Sequence, residues 1–124
     1  QRDAPYCFNR KETKDHGEGG VLVGAPLTGR ALIVDDVITA GTAIREVMSI
    51  IRQNKAEAAG VVVGLDRKEK GANGSSAVQD VEAEFNISVI SIVDIDDVRE
   101  YLSEVGEAPD LMERMDDYRR NYGI

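Results

Sequence analysis

The strongest constraint on this chain is an alternation of short apolar runs with segments of helical spacing. Residues 31–34, 60–65 and 87–93 are nearly continuous apolar runs, whereas residues 42–54 carry apolar side chains at i, i+3, i+4 and i+7. Unbroken apolar runs are typical of strands that are buried on both faces of a parallel sheet. The sequence therefore predicts a three-layer, Rossmann-like α/β fold with a parallel sheet, forming a single domain over residues 1–124.

Weaker signals predict the elements around this central pattern. Residues 5–8 and 21–23 are predicted to be short strands, and the polar, glycine-rich residues 9–20 between them a loop. Ser75 or Ser76 is the candidate N-cap of the helix that precedes the last apolar run.

The C-terminal part predicts two helices that are interrupted near residues 106–109. Acidic residues at 94–97 offer the N-cap of the first of these helices. Leu111, Met115 and Tyr118 share one face of the second helix and are predicted to pack in the core.

The charge balance limits the partners that the chain can have. The formal net charge is −8, which repels nucleic acid and anionic lipid, so an anionic ligand has to be held by local cations or backbone amides. No apolar run reaches the roughly 18 residues of a membrane span, and no signal peptide is recognised. The single cysteine, Cys7, is expected to be a buried, unreactive thiol in a reduced, cytoplasmic protein. Because the chain opens with Gln1 instead of Met, a longer natural chain is expected.

The most informative stretch joins a strand to a helix through residues 35–43. Asp35 and Asp36 end an apolar run, and ligands of open parallel α/β sheets bind at such strand ends. Small residues that follow let the backbone approach a ligand, and unpaired N–H groups at a helix start attract phosphate. Acids beside that phosphate suit sugar hydroxyls or a hydrated Mg²⁺. The stretch predicts a site for a phosphorylated sugar, although an Asp-Asp pair alone is often only a helix or turn cap.

This stretch resembles the phosphoribosyl pyrophosphate signature of type I phosphoribosyltransferases. The resemblance implies that Asp35 and Asp36 contact the ribose hydroxyls. It also implies a 5′-phosphate loop that consists of Val37, Ile38, Thr39, Ala40, Gly41, Thr42 and Ala43. The implied fold is that of the type I family, with this chain as the C-terminal portion of a longer one and without the N-terminal hood that covers the base.

A second candidate site is a basic segment in an otherwise acidic chain. Arg10, Lys11, Lys14 and His16 cluster among glycines that permit a mobile lid, although such a cluster alone is usually solvated surface. The sequence Lys14-Asp-His16-Gly-Glu-Gly-Gly, however, resembles the catalytic loop of orotate phosphoribosyltransferases, which closes over the pyrophosphate, often from the other subunit of a homodimer. The resemblance implies that these four residues contact the diphosphate. Lys14 would be the main transition-state cation, with His16 and the two acids completing the catalytic set.

The resemblance also implies the substrates and the cofactor. Arg67 would pair its guanidinium with the carboxylate of orotate, with Thr39 near the base; without the family match, Arg67 is a surface arginine at a strand end. The expected reaction converts orotate and phosphoribosyl pyrophosphate to orotidine 5′-phosphate and pyrophosphate, with Mg²⁺ held mainly by the substrate, near Asp35 and Asp36. Neither a nucleic acid nor a membrane is an expected partner. Without the N-terminal segment of the family, weak or absent catalysis is expected.

Two other functions fit part of the sequence. A receiver domain would explain the run that ends in Asp35-Asp36, with Asp66 as phospho-acceptor, but no lysine follows the later strand that leads into Asp94. A non-catalytic regulator of the same fold, which senses phosphoribosyl pyrophosphate or a nucleotide, would keep the phosphate loop and lose the catalytic loop. The presence of the basic segment argues against that alternative.

Overall fold

The structure, a computed structural model, describes residues 2–10, 21–106 and 109–124. In chain order its elements are β1 (Cys7–Asn9), β2 (Leu22–Gly24), β3 (Arg30–Val37), α1 (Thr42–Gln53), β4 (Glu57–Asp66), α2 (Ala77–Phe85), β5 (Val89–Asp94), α3 (Ile95–Val105) and α4 (Pro109–Tyr122). The predicted alternation of strands and helices is thereby confirmed in the central part of the chain.

Strands β3, β4 and β5 form a parallel sheet with β4 in the middle. Ile33 lies beside Val61, and Val61 lies beside Val89. Because the three strands run the same way in this register, their carboxyl ends meet at one edge of the sheet. The predicted parallel sheet is confirmed, and this edge is where the informative loops emerge.

The predicted boundaries of two strands were wrong. β4 begins three residues earlier than predicted, at Glu57. β3 continues to Val37, two residues beyond the strand end predicted at Asp35, so Asp35 and Asp36 both lie within the strand, near its carboxyl end. The cause is that Val37 is still paired with Leu65, since a ladder of backbone hydrogen bonds can extend through charged residues.

Helices α1 and α2 cover one face of the sheet and build the core with it. α1 buries Ile44, Met48 and Ile51, at the spacing that the sequence predicted. α2 begins after Ser76, whose hydroxyl accepts a backbone N–H in a capping box, so Ser76 and not Ser75 is the cap. The buried apolar side chains of this core are Ile33, Ile38, Ile44, Met48, Ile51, Val61, Val63, Ala77 and Val81.

The opposite face of the sheet carries apolar side chains that are exposed to solvent. Val34 and Ile92 are 74% and 75% exposed, and Leu32 and Ile90 are more than half exposed. Within the described residues, the prediction that these strands are buried on both faces is therefore wrong for this face. The physical reason is that α1 and α2 pack together on the other one.

A separate antiparallel ribbon, formed by β1 and β2, precedes the parallel sheet. At its end the N–H of Arg10 donates to the carbonyl oxygen of Val21 at 2.8 Å. The ribbon thus brings together the two ends of residues 11–20, which lie outside the described part of the chain. Cys7 is only half-buried, so the prediction of a buried thiol was wrong, because a two-stranded ribbon covers few of its own side chains.

The C-terminal helices α3 and α4 pack on each other, away from the core. The predicted interruption between them is confirmed, since α3 ends at Val105 and α4 begins at Pro109. α4 has no fully buried residue, so the predicted core packing of Leu111, Met115 and Tyr118 was wrong. Their helix faces α3 and a polar loop after β4 instead of the apolar sheet. Among the described helices, none is both long and apolar enough to cross a membrane.

Candidate functional site

The carboxyl edge of the parallel sheet brings together the end of β3, the end of β4 and the start of α1. Val37 is paired with Leu65, and Thr39 and Arg67 each follow that pair by two residues. Ligands of open parallel sheets bind beyond the carboxyl ends of the strands. This edge is therefore the candidate site, and it carries both the predicted phosphate loop and the predicted base-binding arginine.

The two adjacent acids point to opposite faces of β3, as neighbouring strand residues do. Asp35 is half-buried and Asp36 is exposed. In each carboxylate, Oδ1 accepts the backbone N–H of the following residue, at 3.0 Å for Asp35 and 2.7 Å for Asp36. Carboxylates that diverge in this way suit separate contacts better than joint chelation of one ion. Within the part of the chain that the structure describes, no group of three His, Cys, Asp or Glu side chains could hold a metal.

The predicted phosphate loop ends in a helix N-terminus that no side chain caps. Gly41 is the N-cap of α1 and has a φ of 70°, a left-handed conformation that glycine adopts without strain. The first N–H groups of α1 have no carbonyl partner within the helix, and Gly41 supplies no side-chain acceptor. The side chain of Ile38 is buried in the core and thereby fixes the loop to it. Around it the exposed residues are Thr39, Ala40, Thr42 and Ala43. Such an N-terminus attracts an anion.

Sequence reasoning missed Arg45, which fixes this loop from the first turn of α1. Its Nη1 donates to the carbonyl oxygen of Ala40 at 2.8 Å, and its Nε donates to Oε2 of Glu84 on α2 at 2.7 Å. The loop is thereby tied to both helices of the core. The position of Arg45 one turn after Gly41 was a usable signal, whereas Glu84, 39 residues away from Arg45, gave none.

Gly64 on β4 lies directly beside the backbone of Asp36, so a methyl group added there is expected to disturb the acidic pair. A Cβ at residue 64 would lie 2.9 Å from the carbonyl oxygen of Asp36. Gly64→Ala should lower the free energy of unfolding by about 1–3 kcal/mol, because overpacking forces the backbone to shift. Urea unfolding measures this change, with Ala59→Val, at an exposed position of the same strand, as the control. Equal stability of Gly64→Ala and the wild type would contradict the tight contact between the strands.

Arg67 contacts Glu69, which follows it by two residues, and Tyr118 on α4. Its Nη2 lies 2.5 Å from Oε1 of Glu69 and donates to the hydroxyl of Tyr118 at 3.4 Å. The Tyr118 hydroxyl in turn donates to the same oxygen of Glu69 at 2.9 Å. This bond to a carboxylate raises the pKa of Tyr118, because ionisation would place two negative charges side by side.

Lys68 ties the loop after β4 to the end of β5. Its Nζ lies 2.6 Å from Oδ2 of Asp94 and 2.9 Å from Oδ2 of Asp96. The hydrogen bond to Asp94, followed by that to Asp96, raises the pKa of Lys68, and the same bond lowers the pKa of Asp94. Lys68 is therefore a charged structural link between this loop and the end of β5.

Most of the predicted pyrophosphate-binding residues lie outside the described part of the chain. Lys11, Lys14 and His16 fall within residues 11–20, so their roles stay predictions. Arg10 is described and half-buried at the end of β1. The structure thus defines where the basic segment starts and ends on the ribbon, and the contacts of its side chains belong to the proposal below.

The chain is similar to curated orotate phosphoribosyltransferases, whereas no family model matches it. The chain is 59% identical over 124 residues to an orotate phosphoribosyltransferase of Pseudomonas aeruginosa and 57% identical over 123 residues to one of Cellvibrio japonicus. These matches take in 100% and 99% of this chain, but 58% and 57% of the relatives. The chain therefore spans little more than half the length of the curated relatives that it matches.

Solved structures of orotate phosphoribosyltransferases also match the chain. The crystal structure of an orotate phosphoribosyltransferase from Francisella tularensis matches with a TM-score of 0.80 and 36% identity, over 99% of this chain and 58% of that one. An orotate phosphoribosyltransferase of Mycobacterium tuberculosis in complex with 5-phospho-α-D-ribosyl 1-diphosphate matches with a TM-score of 0.62 over 78% of this chain and 51% of that one. At 23% identity, this second match shows a common fold alone. The fold class predicted from the sequence is confirmed.

Proposed function

We propose that this chain, which belongs over its whole length to the orotate phosphoribosyltransferase family, supplies the ribose-phosphate and base-recognition side of such an enzyme. The reaction transfers ribose 5-phosphate from phosphoribosyl pyrophosphate to orotate and gives orotidine 5′-phosphate and pyrophosphate. The alternative of a non-catalytic regulator has no observation in its favour, since the relatives are enzymes by name.

One observation carries this proposal, namely an uncapped helix N-terminus at Gly41 next to two strand-end carboxylates. The loop of residues 37–43 binds the 5′-phosphate through backbone N–H groups at the start of α1, with Thr39 and Thr42 adding hydroxyl donors. Asp35 and Asp36 accept hydrogen bonds from the ribose hydroxyls. The divergent directions of the two carboxylates support separate hydroxyl contacts.

Recognition of the base rests on Arg67 and Thr39, which follow a paired position on neighbouring strands. The planar guanidinium of Arg67 donates hydrogen bonds to a carboxylate, which distinguishes orotate from uracil. Thr39, which belongs to the phosphate loop, contributes a short polar side chain near the base. Both assignments follow from the family resemblance and are supported by the position of the two residues at the same edge.

The leaving pyrophosphate is bound by the basic segment, through Arg10, Lys11, Lys14 and His16. Breaking the C1′–oxygen bond builds negative charge on pyrophosphate and positive charge on the ribose, and preplaced cations stabilise the former once water is excluded. Mg²⁺ would assist as a Lewis acid on the diphosphate. The exposed carboxylate of Asp36 fits a contact to the hydrated ion, which the substrate holds through its phosphates.

The proposed function also has consequences for the oligomeric state and the cellular location. We expect a homodimer in which the basic segment of one subunit closes over the site of the other. The reaction belongs to de novo pyrimidine nucleotide synthesis, in the cytoplasm. Neither a nucleic acid nor a membrane is a partner, which is consistent with the net charge of −8.

Calorimetry tests the proposed ligands on the chain itself. Phosphoribosyl pyrophosphate with Mg²⁺ is expected to bind, and orotate to bind to that complex in preference to uracil and hypoxanthine. The absence of binding heat for both phosphoribosyl pyrophosphate and ribose 5-phosphate would overturn the proposal.

A turnover assay tests whether catalysis needs more than these 124 residues. A version of the chain that is extended to the length of the relatives should have a much higher turnover rate. Near-equal rates would contradict a catalytic need for the additional segment.

A further inference from the structure

We infer that Tyr118 and Glu69 are positioning residues for Arg67, and that through it they set the preference for a base that carries a carboxylate. The inference rests on the proposed function, because it concerns the specificity of the same site. It adds a role for α4 and for the end of the chain, to which sequence reasoning assigned only core packing.

Arg67 is held through one amino group of its guanidinium. Nη2 meets Oε1 of Glu69 at 2.5 Å and the Tyr118 hydroxyl at 3.4 Å. Its Nε and Nη1 have no hydrogen-bond partner among the residues that the structure describes. A guanidinium has five N–H donors, so an arginine that is held through Nη2 keeps the N–H groups of Nε and Nη1 for hydrogen bonds to a ligand carboxylate.

The contacts among Arg67, Glu69 and Tyr118 close into a triangle. Tyr118 donates to the Glu69 oxygen that contacts Arg67, at 2.9 Å, so each member touches the other two. The ring of Tyr118 is supported by the ring of Tyr122, with centroids 4.8 Å apart. A cavity of about 130 Å³ opens beside the triangle, lined by Arg67, Glu69, Ile95, Tyr118, Arg119 and Gly123. The arginine therefore faces open space and not packed protein.

The backbone of the loop that carries Arg67 and Glu69 is fixed by residues 122–124. The N–H of Lys70 donates to the carbonyl oxygen of Tyr122 at 2.7 Å, and the N–H of Ile124 donates to the carbonyl oxygen of Lys68 at 3.0 Å. Between them, Glu69 and Gly123 form an antiparallel bridge. The backbone is thus fixed by hydrogen bonds at the residues on both sides of Glu69. The position of Glu69 is therefore defined, and its carboxylate can position Arg67.

The consequence is a preorganised carboxylate receptor. A free arginine loses rotamer freedom when a ligand immobilises it, and an arginine that is already ordered avoids that loss. Removing the hydroxyl of Tyr118 should therefore weaken binding of a carboxylated ligand roughly three- to tenfold. Binding of the same ligand without its carboxylate should not change, because the phosphate loop lies on α1 and β3.

Orotidine 5′-phosphate and uridine 5′-phosphate form a matched pair of probes, since they differ only in the carboxylate. Calorimetry with Tyr118→Phe is expected to lower the ratio of the two affinities three- to tenfold, with unchanged binding of uridine 5′-phosphate. Phenylalanine keeps the ring that packs on Tyr122, so the variant should fold. Tyr101→Phe is the control, because Tyr101 is also an exposed tyrosine but lies on α3 and not on α4. This variant should leave the ratio unchanged.

The outcomes separate this inference from the proposed function. If the wild type prefers orotidine 5′-phosphate and Tyr118→Phe retains the whole preference, Tyr118 does not position Arg67 and the inference is overturned. If the wild type binds both nucleotides equally, Arg67 does not recognise the carboxylate, and both the inference and the assignment of orotate fail. A fall in the ratio with Tyr101→Phe as well would show a general effect on stability and would also overturn the inference.

Discussion

Lys14→Ala is expected to lower kcat roughly 10²–10³-fold in an enzyme that contains this chain and the further length of its relatives, by analogy with losing one preorganised donor. The leaving pyrophosphate gains negative charge as the bond to C1′ breaks, and Lys14 is the cation proposed to meet that charge. An interaction that strengthens only in the transition state lowers kcat more than it alters KM. Steady-state kinetics with orotate and phosphoribosyl pyrophosphate measures both constants.

Lys55→Ala serves as the control for Lys14→Ala, because Lys55 is an exposed lysine that follows α1, away from the carboxyl edge of the sheet. This variant removes the same charge from the molecule and should leave kcat unchanged. A loss below tenfold for Lys14→Ala would reduce Lys14 to a surface residue. The basic segment would then have to act through Arg10, Lys11 or His16.

Gly41→Ala is expected to reduce binding of ribose 5-phosphate more than tenfold, because it changes the phosphate loop in two ways. The φ of 70° becomes strained for a residue with a Cβ, at a cost of about 1–3 kcal/mol. The added Cβ would also lie 3.0 Å from Cγ2 of Val81, which is fully buried and cannot move away. The loop should therefore shift outward, and its N–H groups should no longer converge on one point. Calorimetry with ribose 5-phosphate measures the loss.

Gly29→Ala separates the strain from the contact. Gly29 has a φ of 67°, close to that of Gly41, but a Cβ at this position would meet nothing within 4 Å. The control should lose stability in urea unfolding and keep its affinity for ribose 5-phosphate. An equal loss of affinity in both variants would mean that general destabilisation, and not the geometry of the loop, weakens binding.

The strand-to-helix connection at residues 37–43 could be predicted from the sequence because its signal is local. The apolar strand, the two acids and the small residues before the helix are contiguous, and each residue type restricts the backbone or supplies a donor. The exact course of the strand was less predictable. β3 was expected to end at Asp35, but it extends through Asp36 to Val37, because pairing with β4 continues to that residue. Local patterns indicate where a strand starts to bury apolar residues better than where its hydrogen bonds stop.

Contacts between distant parts of the chain gave no sequence signal. Arg45 reaches Glu84 over 39 positions, and Arg67 reaches Tyr118 over 51. Tyr118 also shows why a helical pattern can mislead. Its spacing with Leu111 and Met115 predicted that one face of α4 packs in the core. Helical spacing identifies the residues that share a face, but it does not identify the element against which that face packs. Here the partner is the polar loop after β4, so the tyrosine uses its hydroxyl.

The exposed face of the parallel sheet has a consequence for every experiment on this chain in solution. Leu32, Val34, Ile90 and Ile92 form an apolar surface in contact with water, and surfaces of this kind drive association. Sedimentation and light scattering should therefore vary with protein concentration, and a dye that fluoresces on apolar surfaces should bind even to the native protein. Affinities recorded from dilute samples are consequently the ones to compare between variants.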